Sequence, residues 1–166
     1  MPEVFVGLGS NVEPERHIRA GLDALSKCFG TVTVSSIYRN SPLGFEGDDF
    51  LNLVVGFTTT LDAETLVSEL QQTERECGRT EDEQSFGPRT LDLDLLLYGD
   101  DIIERPGLRL PREEVVEYAF VLKPLSEIAP DRVHPELGKT FKTLWEEFGE
   151  PGTDLVPVVL GSESNF

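Results

Sequence analysis

Apolar and polar residues follow two distinct periods along the first hundred positions of the chain. Runs of β-branched, aromatic and leucine residues predict strands, whereas apolar residues spaced three and four apart predict helices. The predicted strands cover residues 3–11, 31–40, 50–61 and 90–98, and the predicted helices cover 13–30 and 62–78. This order of strand, helix, strand, strand, helix and strand is typical of a ferredoxin-like (split βαβ) core sheet with flanking helices, so we predict an α+β fold.

The second part of the chain has shorter predicted elements. Residues 107–111 predict an extended piece, 115–130 a mainly helical segment, 140–149 a last short helix and 156–160 an edge strand. A chain of 166 residues is long enough to bury a proper core as one domain. We assign that domain to residues 1–150 and treat 151–166 as a C-terminal tail.

The charge balance limits the classes of partner. Lys and Arg number 14 against 31 Asp and Glu, and the formal net charge of -17 disfavours a nucleic-acid-binding protein. A polyanionic small molecule stays compatible with this charge if cations and a few arginines are focused at one place. The start has no basic leader and no apolar run approaches 18 residues, so we expect neither secretion nor a membrane span. The isolated Cys28 and Cys77 favour reduced thiols in the cytoplasm.

Two carboxylates stand one residue apart in the stretch "GPRTLDLDLLLYGD", residues 87–100. Alternation along a strand would place Leu91, Leu93, Leu95 and Leu97 on one face, and Asp92, Asp94, Leu96 and Tyr98 on the other. The two carboxylates would then lie about 6.5–7 Å apart and repel each other. Magnesium removes this conflict, because it favours one or two carboxylates plus phosphate oxygens, and Arg89 is well placed for a phosphate contact. The alternative is a solvated strand face on which Asp is tolerated.

Other motifs exclude several kinds of site. "GLGSN" follows the first strand but lacks the third glycine of a dinucleotide-binding turn, and the chain has no Walker A motif. The two histidines, His17 and His134, are too few for a zinc site, and we expect both to be structural. An Asn beside aromatic faces, as in Phe50 and Asn52 with Phe120 further along, suits a flat heterocycle, although spacing alone favours core packing for the aromatics.

A set of motifs in one order resembles the 6-hydroxymethyl-7,8-dihydropterin pyrophosphokinase family of folate synthesis. The motifs are "GLGSN", "SPLG", "FLNLVVGFTT", "CGR", "GPRTLDLDLLLYGD", "LP", "FVLKPLSEIAPD" and "HPELG", and they cover about residues 3–145. The resemblance implies an ATP-dependent diphosphotransferase, in which the hydroxymethyl oxygen of a reduced pterin attacks the β-phosphorus of ATP and AMP leaves. It implies two magnesium ions bound with ATP. We expect a monomer.

The resemblance also implies a role for each matching residue. The catalytic residues would be Arg79, Arg89, Asp92 and Asp94, with the two aspartates as magnesium ligands. The pterin-binding residues would be Asn40, Ser41, Pro42, Leu43, Phe50, Asn52 and Phe120, in which the two phenylalanines sandwich the ring and Asn52 reads its edge. The ATP-binding residues would be Gln71, Glu74, Arg79, Phe86, Arg89, Leu95, Arg109 and Arg112.

Departures from the family pattern concentrate where phosphate is expected. Arg112 stands where the family has His, Glu81 and Ser85 stand where loop arginines are expected, and Tyr118 replaces a frequent Arg. Arg109 and Arg112 would compensate in part. Three functions stay open at this point: a working pyrophosphokinase with weaker nucleotide binding or slower turnover, a pterin-binding paralogue with lost or altered transfer, and a metal-dependent interaction module.

Overall fold

A computed structural model describes residues 1–42, 47–78, 90–149 and 155–161. The strands are β1 (Glu3–Ser10), β2 (Thr33–Val34), β3 (Ile37–Asn40), β4 (Phe50–Thr58), β5 (Asp92–Tyr98), β6 (Ile103–Arg105), β7 (Leu108–Leu110) and β8 (Val156–Val158). The helices are α1 (Pro14–Phe29), α2 (Ala63–Glu76), α3 (Glu114–Glu117), α4 (Ala119–Ile128) and α5 (Phe141–Glu146). In these parts of the chain, every helix is too short or too polar to cross a bilayer.

The main sheet has the strand order β5-β1-β4-β3-β8, with β2 also paired to β4. All of its pairings are antiparallel. The helix α1 connects β1 to β2, and α2 connects β4 to β5. Because β1 lies between β4 and β5 and β2 pairs with β4, neither helix connects two strands that are neighbours in the sheet. This is the topology of the split βαβ pattern, and the predicted ferredoxin-like α+β fold is confirmed.

The two faces of the sheet bury two separate cores. On one face Val4, Val6 and Leu8 of β1 pack with apolar residues of α1 and α2. On the other face Phe5 of β1 packs with α3, α4 and α5, including the fully buried Phe141. The alternation of β1 therefore separates the two cores as a period of two requires. Towards the end of β1 the second face changes from apolar to small and polar residues.

A bulge in β5 changes the predicted faces of that strand. Phe5 of β1 pairs with Leu97 but Val6 pairs with Leu95, so Leu96 is the extra residue. Leu91, Leu93 and Leu95 lie in the first core as predicted. After the bulge the alternation reverses. The prediction was wrong for Leu97, which joins the second core, and for Tyr98, which packs against the first.

Two other predicted elements differ from the structure, and one strand was not predicted. The predicted strand 31–40 is two strands, because the Ser35 hydroxyl takes the place of a ladder partner and accepts a hydrogen bond from the Val54 N–H (2.9 Å). The predicted helix 115–130 is broken at Tyr118, which is extended with φ -121° and ψ 128°. The strand β6 was missed, and it forms a hairpin with β7.

The remaining boundaries agree with the sequence signals. Asp62 caps α2 by accepting a hydrogen bond from the Thr65 N–H (2.8 Å), and Thr140 caps α5 in the same way. Gly78 follows the end of α2 with a positive φ of 103°, which favours glycine. The tail strand β8 pairs with β3 at the edge of the sheet, as the apolar run at 156–160 predicts.

Candidate active site

Two glycines form the floor of the candidate site. Gly9 of β1 lies across from Asn52 of β4 and from Asp92 of β5, and Gly7 lies across from Asp94. A Cβ at Gly9 would lie 2.7 Å from the Asn52 Oδ1, a distance that requires the amide to move. Glycine at this position therefore leaves room for the Asn52 side chain between the strands.

Two buried amides form one end of the site. Asn52 is 9% exposed and Asn40 is 7% exposed. The Asn52 Nδ2 donates to the Asn40 Oδ1 (2.6 Å), and the Asn40 Nδ2 donates to the carbonyl oxygen of Ser41 (3.2 Å). The chain of hydrogen bonds fixes the orientation of both amides, because a buried amide without partners is costly. An oriented amide edge can recognise a ligand with matching donors and acceptors.

Aromatic side chains flank the amides. Phe50 begins β4, and Phe120 lies in the first turn of α4. The ring of Tyr118 stacks on that of Phe120, with centroids 5.1 Å apart and planes 9° from parallel. Tyr118 is the extended residue directly before α4, and from there its ring reaches that of Phe120 in the first turn of the helix. The break in the predicted helix thus builds one aromatic wall of the site.

These groups line one cavity of about 200 Å³ between the sheet and α4. Its polar and aromatic lining consists of Asn40, Phe50, Asn52, Asp92, Asp94, Arg112, Glu114, Tyr118 and Phe120, above the floor of Gly7 and Gly9. Aromatic faces and an amide edge suit a flat, hydrogen-bonding ring. The carboxylates beside them suit a cation and its phosphate ligands. We call this cavity the ring cavity.

A second cavity of about 70 Å³ shares Asp94 and Arg112 with the ring cavity. Gln71, Leu95 and Arg109, which were predicted to contact ATP, also line it. The structure therefore brings four of the predicted ATP contacts, including Arg112, to one place next to Asp94. We call this second cavity the side cavity.

Arg109 and Glu74 both have protein partners. The Arg109 guanidinium pairs with Glu113 (3.2 Å) and Glu136 (3.3 Å), and the hydrogen bond to Glu113 is the main reason that the pKa of Arg109 is raised. Glu74 is buried on α2, and its Oε2 accepts a hydrogen bond from the Leu93 N–H (2.7 Å). Because β5 is at an edge of the sheet, this carboxylate satisfies a backbone N–H between the two aspartates.

Several predicted site residues have no description in the structure or lie beside the cavities. Leu43, Arg79, Phe86 and Arg89, as well as the substituted loop positions Glu81 and Ser85, fall outside the described residues. Ser41 is exposed and Pro42 is half-buried, directly after Asn40. The roles assigned to these residues stay predictions.

The donor set at β5 fits magnesium. Asp92 and Asp94 are half-buried, line the ring cavity together and offer hard oxygen ligands. Within the ranges that the structure describes, no cluster of three or more His, Cys, Asp or Glu residues is arranged for a metal. Two carboxylates without further protein ligands are typical of magnesium bound with phosphates, because the ion keeps several positions for water and phosphate oxygens.

The two histidines lie outside the ring cavity and have structural contacts. His17 is buried, and its Nδ1 contacts the carbonyl oxygen of Val12 (2.5 Å). His134 is buried, and its Nδ1 accepts hydrogen bonds from the backbone N–H groups of Glu136 and Leu137. Burial lowers the pKa of His134 below its ordinary value. These contacts agree with the prediction that both residues are structural.

Sequence reasoning missed several residues of the site, among them Gly9 and Glu114. The signal for Gly9 was the "GLGSN" motif, whose glycines lie on the same face as the aspartates of the neighbouring strand. Glu114 gave no sequence signal of its own. It lies at the start of α3, two residues after Arg112, whose N–H donates to the Leu96 carbonyl oxygen of β5 (3.0 Å).

Comparison with known proteins identifies relatives over most of the chain. The family model of 7,8-dihydro-6-hydroxymethylpterin-pyrophosphokinase matches residues 5–130. The 2-amino-4-hydroxy-6-hydroxymethyldihydropteridine pyrophosphokinase of Pseudomonas aeruginosa is 42% identical over 137 residues, which is 80% of this chain and 84% of that protein. The protein of the same name from Haemophilus influenzae is 41% identical over 139 residues, 81% of this chain and 86% of that protein.

Solved structures support the fold. The wild-type HPPK-DHPS of Plasmodium falciparum superposes with a TM-score of 0.72 at 13% identity and covers 89% of this chain. This chain spans 44% of that longer one, and at such low identity the likeness concerns the fold alone. The family model covers well over half of the sequence, and two relatives exceed 40% identity over four fifths of it. The chain belongs to the 7,8-dihydro-6-hydroxymethylpterin-pyrophosphokinase family.

Proposed function

We propose that the chain transfers the diphosphoryl group of ATP to the hydroxymethyl group of 6-hydroxymethyl-7,8-dihydropterin in folate biosynthesis and releases AMP. The observation that carries this function is the continuity of the ring cavity, in which an aromatic and amide end meets the carboxylate pair. The relatives are named pyrophosphokinases. Neither the relatives nor the cavity supports a binding paralogue, and an interaction module would leave the cavity unexplained.

The amide and aromatic end of the ring cavity would hold the pterin. Phe50 and Phe120 would contact the two faces of the ring, and the Asn52 amide would bind its polar edge, with Asn40 holding Asn52 in place. Orienting the ring fixes the direction of its hydroxymethyl group, and holding two reactants in a productive geometry lowers the entropic part of the barrier.

The transfer forms one bond and breaks another. The hydroxymethyl oxygen bonds to the β-phosphorus of ATP, the bond from that phosphorus to the oxygen bridging it to the α-phosphorus breaks, and the hydroxyl proton is released. Arg112 lies at the boundary of the ring and side cavities, so its positive charge would contact the phosphates during this transfer. Gln71, Leu95 and Arg109 would contact the nucleotide from the side cavity.

Asp92 and Asp94 would hold the metal. Magnesium, as two ions bound with ATP, would neutralise phosphate charge and align the displacement. Both carboxylates face the ring cavity from one strand, and Glu74 supports that strand between them. We further propose that the chain binds no nucleic acid, which the net charge of -17 supports, and that it is a cytoplasmic monomer that binds no membrane.

The test is AMP formation from ATP with magnesium, in the presence and absence of 6-hydroxymethyl-7,8-dihydropterin. Asp92→Ala and Asp94→Ala should each reduce the pterin-dependent rate by about 10²-fold or more, because each removes a charge that acts on the transition state. Pterin affinity, measured by fluorescence titration, should change little in both variants. Asp101→Ala, at an exposed turn just after the same strand, is the matched control and should keep its rate.

Two results would contradict the proposal. The transfer function would be rejected if the wild type formed no AMP at millimolar ATP. It would also be rejected if AMP formed at the same rate with and without the pterin. An unchanged rate in Asp92→Ala or Asp94→Ala would remove that residue from the metal site.

A further inference from the structure

The Arg112 guanidinium contacts two carboxylates at the boundary between the two cavities. Its Nε lies 2.6 Å from the Glu114 Oε2, and its Nη2 lies 3.8 Å from the Asp94 Oδ1. Arg112 is anchored at its backbone, whose N–H donates to the Leu96 carbonyl oxygen. The close contact to Glu114 and the longer one to Asp94 therefore orient the guanidinium, with one edge towards Glu114 and its outer nitrogens towards the metal-binding carboxylate.

The contact with Glu114 holds the guanidinium by charge. Both the Arg112 Nε and the Glu114 Oε2 are shielded from solvent, yet neither makes a well-directed hydrogen bond within the described chain. The separation of 2.6 Å makes their Coulomb attraction stronger than that between Arg112 and Asp94 at 3.8 Å. A contact of this kind keeps the guanidinium near Glu114 and leaves its outer N–H groups for another anion.

The positions of these residues relate the pair to the reaction. Arg112 and Asp94 line both cavities, and Glu114 lines the ring cavity. If the pterin occupies the ring cavity and ATP contacts the side cavity, the diphosphoryl group crosses the boundary where the outer nitrogens of Arg112 lie. Arg112 would then be useful only if it does not close on Asp94, because a tight ion pair there competes with magnesium for the carboxylate.

We propose that Glu114 is a positioning residue that holds Arg112 by its Nε edge, so that the guanidinium does not close on Asp94 and its outer nitrogens are available to the phosphates of ATP. The inference rests on the proposed function, and it adds Glu114 to the residues that act in nucleotide binding. In this proposed role Glu114 is not a ligand of the nucleotide or the metal. The effect of Glu114 on nucleotide binding passes through Arg112. An experiment can therefore distinguish this role from direct contact with the nucleotide and from a purely structural role.

The test is a double-mutant cycle on the full chain with Glu114→Gln, Arg112→Gln and the combined variant. Calorimetric titration with magnesium and α,β-methylene-ATP measures nucleotide binding without turnover, and a separate titration measures the pterin. Arg112→Gln and Glu114→Gln should each weaken nucleotide binding by about ten- to hundred-fold, the range for a lost contact to a charged group. The combined variant should be no weaker than Arg112→Gln, because residues that act through each other are not additive.

The pterin titration and a control variant separate this effect from a loss of structure. Pterin affinity of Glu114→Gln should stay within about twofold of the wild type, which also shows that the variant is folded. Glu117→Gln removes the same charge from an exposed position on the same helix and should leave both affinities unchanged.

Two outcomes overturn the inference. In the first, Glu114→Gln binds the nucleotide as tightly as the wild type does. In the second, Glu114→Gln weakens nucleotide binding by the same factor in the wild type and in the Arg112→Gln variant. A different result would contradict the proposed function: a wild type that binds both ligands but forms no AMP. In that case the double-mutant cycle still decides the role of Glu114.

Discussion

At the scale of single residues, the site depends on one buried amide pair. Asn52 uses one Nδ2 hydrogen to bind Asn40, so its Oδ1 and its second Nδ2 hydrogen are the groups that could bind a ligand in the ring cavity. We expect Asn52→Ala to weaken pterin binding by about 1–3 kcal/mol, since it removes the edge contact and leaves the Asn40 amide without this donor. Fluorescence titration with 6-hydroxymethylpterin measures this change. The affinity for the ATP analogue should not change, and equal pterin affinities in variant and wild type would exclude the role of Asn52.

Gly9 gives a second prediction at this scale. Gly9→Ala places a methyl group 2.7 Å from the Asn52 Oδ1 and forces the amide out of its position, whereas the same change at Gly7 meets Leu96 at an ordinary 3.5 Å. We expect Gly9→Ala to weaken pterin binding by about 0.5–1.5 kcal/mol, the usual contribution of one neutral hydrogen bond, and more than Gly7→Ala does. The two variants are compared by pterin titration and by urea unfolding. An effect of the same size from both would mean that the amide is not the cause.

The sequence was more informative about chemistry than about contacts. The aspartate pair follows from spacing within one strand, and the roles of Phe50, Asn52 and Phe120 follow from the family resemblance. Gly9 and Glu114 were missed because their roles depend on which residue lies across from them. That information resides in the register of β1 against β4 and in the path of the chain after β7, neither of which a local pattern contains.

At the scale of elements, β3 and α4 must keep a fixed separation, because β3 carries Asn40 and α4 carries Phe120. The Tyr38 hydroxyl on β3 donates to the Glu127 Oε2 on α4 (2.9 Å), and the Lys123 ammonium lies 5.2 Å from the Tyr38 ring centroid. Burial is the largest of the causes that raise the pKa of Tyr38 to about 12, and Glu127 adds to it. The tie between the two elements therefore depends on a protonated tyrosine.

This tie predicts a loss of stability at high pH. The folded-state pKa of Tyr38 is above the ordinary value of 10.0, so its contribution is complete below pH 10 and decreases as the pH rises towards 12. At most about 2–3 kcal/mol is involved, since one pKa unit corresponds to about 1.4 kcal/mol. Urea unfolding at several pH values should show that Tyr38→Phe is less stable than the wild type at pH 8 and that the difference shrinks above pH 10. A difference independent of pH would contradict the ionisation argument.

Element boundaries show where local patterns stop being sufficient. The strands β1, β4 and β5 and both long helices are in the predicted places, because their apolar spacing matches the two faces of one sheet. The bulge at Leu96 and the break at Tyr118 were not predicted, since both sit inside runs of apolar residues that read as uninterrupted strand or helix. Both irregularities lie at residues that line the ring cavity. The bulge lies two residues after Asp94, and the break stacks Tyr118 on Phe120.

At the scale of the whole molecule, one sheet separates packing from binding. The first face is covered by α1 and α2, and the second is covered by α3, α4 and α5 except where the ring cavity opens. We propose that residues 1 to about 150 act as one domain and that β8 adds an edge strand from the tail. The apolar run at 156–160 predicted the strand β8. It did not predict that β8 pairs with β3.

The net charge of -17 also acts on the whole molecule. Exposed ion pairs such as Lys27 with Asp23 (2.9 Å) contribute little, and the excess of acidic residues leaves carboxylates that repel one another across the surface. Added salt screens this repulsion, because the Debye length falls from roughly 10 Å at 0.1 M to about 3 Å at 1 M. We therefore expect screening to favour the folded chain more than it weakens exposed pairs of this kind.

We expect the Tm to rise between 0.1 and 1 M NaCl, by about 2–4 °C for each kcal/mol gained in a chain of this length. Differential scanning calorimetry at pH 7 measures the change. A variant with Glu69→Gln, Glu76→Gln and Glu104→Gln, three exposed positions, should start from a higher Tm at low salt and gain less from added salt, because it has less repulsion to screen. A Tm that falls with NaCl, or a gain as large in the neutralised variant as in the wild type, would show that repulsion between carboxylates does not limit the stability of this fold.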